Sequence, residues 1–167
     1  KAVEDVPAIA NNNGIFGFGE DSGGIVGYTN LVSSVGVVAA DVTAVGTAAK
    51  NRAGTEFGGD KGIFGYGEVE NGVNNFISET NLVSNAGVVA TDTTGVGTAR
   101  RNLAACRYGS DKGIFGYGKL ISTGISMTNL VSNVGVVAVD VTGVGTGRES
   151  LMACEYGEDK GIFGYGS

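Results

Sequence analysis

A glycine-framed hexapeptide recurs four times along this chain, and that recurrence limits the folds open to it more than any other feature. Gly14-Ile15-Phe16-Gly17-Phe18-Gly19 returns over 62–67, 113–118 and 161–166, the last three as GIFGYG, at offsets of 48, 51 and 48 residues. Between these marks a longer phrase appears three times: TNLVSSVGVVAADVTAVGT from Thr29, TNLVSNAGVVATDTTGVGT from Thr80 and TNLVSNVGVVAVDVTGVGT from Thr128. A further phrase, RNLAACRYGSDK from Arg101 and ESLMACEYGEDK from Glu149, has a drifted counterpart in NRAGTEFGGDK from Asn51. A period near fifty residues is the mark of a solenoid, a propeller or another array. The unit of structure is therefore the repeat. Residues 1–13 form an N-terminal non-repeat segment, 14–61, 62–112 and 113–160 are three repeats, and 161–167 are the first strand of a partial fourth.

Each repeat divides into four strand-like segments: GIFGYG, the stretch centred on TNLVS (76–84 in the second copy), GVVATDTT from Gly87, and LAACRYG from Leu103. Val, Ile, Thr, Phe and Tyr fill these segments, and Gly, Asn, Asp and Ser separate them. No window keeps apolar residues at helical spacing over three turns, so no long helix is expected. The 51-residue offset traces to one hairpin loop: thirteen residues separate Gly67 from Asn81, against ten between Gly19 and Asn30. Loops absorb such insertions where strands cannot. Strict alternation places Phe64 and Tyr66 on one face of their strand, with Ile63, Gly65 and Gly67 on the other. A bare glycine face lets a neighbouring sheet come close, and the aromatic face supplies the bulk opposite.

Composition sharpens the reading. Glycine makes up 31 of 167 residues, yet it has no three-residue period, which excludes collagen. Hydrophobic residues reach 42% and sit in ordered blocks, which argues against a disordered linker. The net charge of −6, with only 11 Lys and Arg, argues against nucleic acid as a partner. No apolar run approaches the ~18 residues of a membrane helix, so no membrane span is expected. The chain begins at Lys1 rather than Met, which reads as a processed chain or a fragment.

The order of signals resembles that of kelch repeats. Thr98-Ala99-Arg100-Arg101-Asn102-Leu103-Ala104-Ala105 is similar to the kelch P-x-R-x-x-H-A-A segment, and Lys112-Gly113-Ile114-Phe115-Gly116-Tyr117-Gly118 to its K-I-Y-V-F-G-G strand. The chain departs from the family in having no Trp and no His. The resemblance implies an all-β fold of four-stranded antiparallel β-propeller blades, three repeats plus a partial fourth. Propellers close with roughly four to eight blades, so the array is expected to stay open or to close by oligomerisation, as a ring or a filament. The surplus strand at 161–167 is expected to join the N-terminal segment or to add to a neighbouring subunit.

Little in the chain points to chemistry. Without His there is no Ser-His-Asp triad and no His-bearing zinc site, and no catalytic residue, cofactor or metal site is assigned. Cys106 and Cys154, 48 residues apart at one repeat position, read as free thiols, because equivalent points on stacked sheets lie too far apart for a disulfide. The GVGT phrases at Gly95–Thr98 and Gly143–Thr146 read as tight turns rather than phosphate loops. Candidate ligand or turn residues recur with the repeat: Asn30, Asn81 and Asn129; Asp41, Asp92 and Asp140; and Arg100 and Arg148, with Ala49 in the first copy. The Asp residues favour bonding to turn amides, and in the resemblance the Arg is mostly structural. Asp60, Asp111 and Asp159 read as turn residues, each with a weak charge pair to the following Lys. The role that fits best is a non-enzymatic structural or adhesive subunit, extracellular or on a virion surface. Its partners would be further copies, reached through exposed repeat ends. A multivalent lectin-like propeller binding glycan is the alternative, and a protein–protein adaptor the next.

Overall fold

The strongest local signal, the run from the small-residue strand through G-x-D-K into GIFGYG, folds as a tight hairpin in every copy where it is described. The computed structural model describes residues 12–43, 45–70 and 74–167. Ten strands carry it: β1 (Gly14–Asp21), β2 (Gly24–Val32), β3 (Ala53–Phe57), β4 (Lys61–Glu68), β5 (Phe76–Val83), β6 (Ala104–Tyr108), β7 (Lys112–Gly116), β8 (Thr128–Val131), β9 (Met152–Tyr156) and β10 (Lys160–Gly164). No helix occurs among the described residues, and the fold is all-β. The strands form four small antiparallel sheets, β1-β2, β3-β4-β5, β6-β7-β8 and β9-β10, here called the first to the fourth. The sheet therefore straddles the sequence repeat: β3, the last segment of the first repeat, pairs with β4, the first segment of the second. The cause is local. Gly58 and Gly59, with φ of 62° and 79°, close a turn that only such residues adopt easily, and β3 must fold straight back onto β4.

The expected third strand, GVVATDTT, is not a regular strand. It returns alongside the TNLVS strand and touches it at two isolated bridges per copy, Val32↔Val38 and Thr29↔Val42 in the first, Val83↔Val89 and Thr80↔Thr93 in the second, Val131↔Val137 and Thr128↔Val141 in the third. Each return begins at a serine turn, where Ser84 Oγ accepts the Val88 N–H at 3.2 Å and Gly87 takes a φ of 75°. Between the bridges an asparagine amide intrudes. Asn30, Asn81 and Asn129 donate Nδ2 to the carbonyls of Ala39, Ala90 and Ala138 at 3.1, 3.1 and 3.0 Å. The side chain takes the acceptor that a continuous ladder would use, so three-stranded sheets with a bridged return stand where four-stranded ones were expected.

The alternation assigned to GIFGYG also fails, for one reason. The β4–β5 register shifts between Gly65 and Gly67, and Tyr66 sits there in the left-handed region with φ 61°. Phe18, Tyr117 and Tyr165 repeat that conformation at 64°, 62° and 62°. The shift turns the second aromatic to the opposite face from the first. Phe64 points back to the first sheet, while Tyr66 points on to the third. The sheets stack through these rings, and the buried core (Ala53, Phe57, Ile63, Tyr66, Leu103, Phe115, Val131) lies between the second and third. The segment 1–13 falls largely outside the described residues, and so do residues 71–73 of the loop between Gly67 and Asn81.

Candidate functional site

The recurring chemistry of this chain is the contact between successive sheets, and it is built from the residues that the repeats share. Its centre is a ring on a glycine. A Cβ built on Gly17 would lie 3.2 Å from the Phe64 ring, on Gly65 3.0 Å from Phe115, and on Gly116 2.8 Å from Phe163. Each of these three middle glycines thus receives the phenylalanine of the next copy, at a distance that leaves no room for a side chain. The left-handed aromatic beside that glycine meets the same ring edge-on or tilted: Phe18–Phe64 and Tyr66–Phe115 at 5.3 Å between centroids, Tyr117–Phe163 at 5.5 Å. Such pairs add about 0.5–1.5 kcal/mol beyond their area, which helps to hold a non-glycine residue in a conformation costing roughly 1–2 kcal/mol.

An arginine caps each aromatic. Arg100 is fully buried, lies 4.2 Å from the Tyr66 ring centroid, and donates Nε to the Tyr117 carbonyl at 2.8 Å. Arg148 sits 5.1 Å from Tyr117 and donates to the Tyr165 carbonyl at 2.8 Å. The first copy is not empty. Ala49 occupies the aligned position, and Arg52, three residues on, reaches over Phe18 at 4.1 Å and donates to the Glu79 carbonyl. Arg52, Arg100 and Arg148 are spaced by 48 residues; aligning the phrases rather than the period hides this. Burial pulls the pKa of Arg52 down to about 10, against the opposing attraction of Asp92 and Glu79. Arg100 is lowered by burial too, with Tyr66 opposing. Burial likewise raises Tyr66, with Arg100 opposing.

The recurring Asn and Asp form the next element. Asn30, Asn81 and Asn129 donate to Asp41, Asp92 and Asp140 at 2.7, 2.8 and 2.9 Å. Asp92 then accepts the Thr47 backbone N–H at 2.9 Å and the Thr47 hydroxyl at 2.8 Å. Asp140 does the same for Thr98, at 3.0 and 2.7 Å. Thr47 and Thr98 end the AVGT and GVGT turns of the preceding copies, so each clasp joins two modules. The turn amide that Asp92 or Asp140 accepts comes from the copy before. For both carboxylates burial alone would raise the pKa; the hydrogen bonds from asparagine and threonine outweigh it and hold the groups below the ordinary range.

The hairpin tips are linked as well. The Gly58 N–H donates to the Asp111 carbonyl at 2.7 Å, and that of Gly109 to Asp159 at 2.6 Å. Asn133 donates to the Asp111 carboxylate at 3.0 Å, and Lys61 pairs with Asp60 at 2.7 Å. Across three sheets, Arg107 pairs with Glu56 at 2.5 Å and with Glu155. Both cysteines are free thiols, and burial pushes the pKa of Cys106 up. Among the described residues no group of three or more His, Cys, Asp or Glu is placed to hold a metal ion, and no helix is long and apolar enough to cross a membrane. A cleft of about 300 Å³ opens between the first and second sheets, bounded by Ile15, Leu31, Thr55, Lys61 and Ser84 among others.

Sequence reasoning did not single out Thr47, Thr98, Arg52, or the Glu56–Arg107–Glu155 line. The invariant Thr closing each AVGT or GVGT turn was the available signal for the first two. No family model matches this chain, and no curated protein matches it either.

Proposed function

We propose that this chain is a non-enzymatic structural subunit that assembles with further copies through the two ends of its stack, at a cell or virion surface. One observation carries the reading. The contact made between successive sheets is made from the same parts each time, and the first and fourth sheets hold its two unmatched halves. Phe16 is 66% exposed where its equivalent Phe115 is 0%, and Tyr165 is 89% exposed where Tyr66 is 0%. Repeat units cannot bury their apolar faces alone, and exposed apolar area of this kind marks interaction surfaces. A kelch-like blade identity for the sheets belongs to this proposal; the hairpin order and the face-to-face stacking support it. A carbohydrate-binding role has less behind it, because Asp92 and Asp140 accept from asparagine and threonine within the stack and Asn81 and Asn129 are fully buried. It would rest on the cleft between the first two sheets.

The test is mass in solution. Light scattering over a concentration series and negative-stain microscopy are expected to give filaments or rings without added ligand. A chain that keeps single-chain mass throughout refutes the proposal.

A further inference from the structure

The two unmatched ends differ in kind, and that difference specifies how copies would meet. This inference deepens the assembly reading and rests on it. At the tail, a Cβ on Gly164 would meet no atom within 4 Å, whereas the same position at Gly17, Gly65 and Gly116 is covered by a phenylalanine of the next sheet. Tyr165, left-handed like Tyr66 and Tyr117, holds its ring out beside that glycine with no phenylalanine against it. The threonine turn that follows the third sheet is open as well, because the fourth sheet has no TNLVS strand to bring an aspartate to it. A Cβ on Gly46 or Gly97 would lie 2.4 Å from an oxygen of Asp92 or Asp140, whereas one on Gly145 would meet nothing within 4 Å. Thr146, the third member of the Thr47 and Thr98 series, is exposed.

The head carries the missing ring. Phe16 is the one phenylalanine of its series without a glycine beneath it among the described residues. Asp41 is held by Asn30, as Asp92 is by Asn81, but its carboxylate is exposed and takes no threonine. In the ring contact, therefore, each end lacks what the other presents.

We infer that the tail of one chain receives the head of a second copy in the register used inside the chain. Phe16 seats on Gly164 with its ring against Tyr165. The interface is heterologous, since each copy contributes a different patch, and such contacts propagate into filaments or close into rings.

Complementation tests it. Gly164 lies in an ordinary strand conformation with open space beside it, so Gly164→Val should fold and melt as the parent does while denying Phe16 its seat. Phe16→Ala removes the ring from the other end. Each variant alone is expected to run as a monomer under conditions where the parent assembles. Mixed in equal amounts they are expected to give a discrete dimer and nothing larger. The Phe16→Ala chain keeps an intact tail, the Gly164→Val chain keeps an intact head, and the two outer ends are blocked. If the parent assembles but the variants do so equally well, or their mixture forms no dimer, the register is wrong although assembly stands. If the parent never exceeds single-chain mass, both readings fall.

Discussion

The boundary between the second and third sheets and the outer faces of the first and fourth are written in the same letters, yet they behave as opposite surfaces. At the inner boundary Phe115 is sealed between Gly65 and Tyr66, Arg100 is buried against the Tyr66 ring, and Asp140 holds Thr98. At the outer faces the same residue types, Phe16, Tyr165 and Asp41, stand in solvent. Identical side chains thus acquire their energetic weight from the neighbouring copy rather than from their own strand. A repeat here is half of two interfaces, and a substitution means different things at different copies.

That contrast can be broken most forcefully at the rings. Phe115→Ala is expected to destabilise the chain by about 3–5 kcal/mol, as removal of a buried Phe does, while Phe16→Ala stays within about 0.5 kcal/mol. Urea titrations of the two variants at a concentration favouring monomer decide it, and equal losses would end the comparison. Glycine substitutions come next. Gly65→Val forces a branched side chain against Phe115 and the Thr80 methyl, both 3.0 Å from the first added atom, for a cost of roughly 1–3 kcal/mol from overpacking. Its counterpart Gly164→Val is expected to be near neutral in the same titration.

The clasp gives a smaller and pH-dependent difference. Asp140→Ala deletes three accepted hydrogen bonds, from Asn129 and Thr98, and should cost about 2 kcal/mol, scaled from bonds to a charged group. Asp41→Ala, with only the Asn30 bond at stake, should cost less. Asp92 and Asp140 have folded pKa values held below the ordinary one near 3.9. Their contribution is therefore complete above that value and disappears as pH falls through the depressed folded values. Parent stability measured downward from pH 6 should drop in that acid window, and Asp140→Asn should flatten the drop. The smallest expected effect is at Arg107, which is partly exposed between two glutamates. Arg107→Met should change stability by no more than about 1 kcal/mol and lose its salt dependence.

Much of this was legible beforehand. The period, the all-β class, the hairpins and the role of glycine as a site of close approach follow from GIFGYG and its flanks, because turn chemistry and alternation are local. Two things were not. A left-handed Tyr66 cannot be foreseen from a tyrosine in a strand-like run, and without it Phe64 and Tyr66 are assigned to one face. The bridged return was read as a strand because Val and Thr favour one, while the intruding Asn81 amide acts through a carbonyl nine residues away. Arg52 escaped notice because its register differs from its counterparts although its destination is the same.

The twist at Tyr66 has one more effect. Because it sends the two aromatics of a strand to opposite neighbours, every sheet has a front and a back, and the row they form has a sense, like a sentence. Reversing one copy would bring ring against ring and bare glycine against bare glycine, a junction with bulk on one side and a gap on the other. Anything built by repeating this pattern must grow with all its members facing one way, so its two extremities remain chemically distinct however long it becomes.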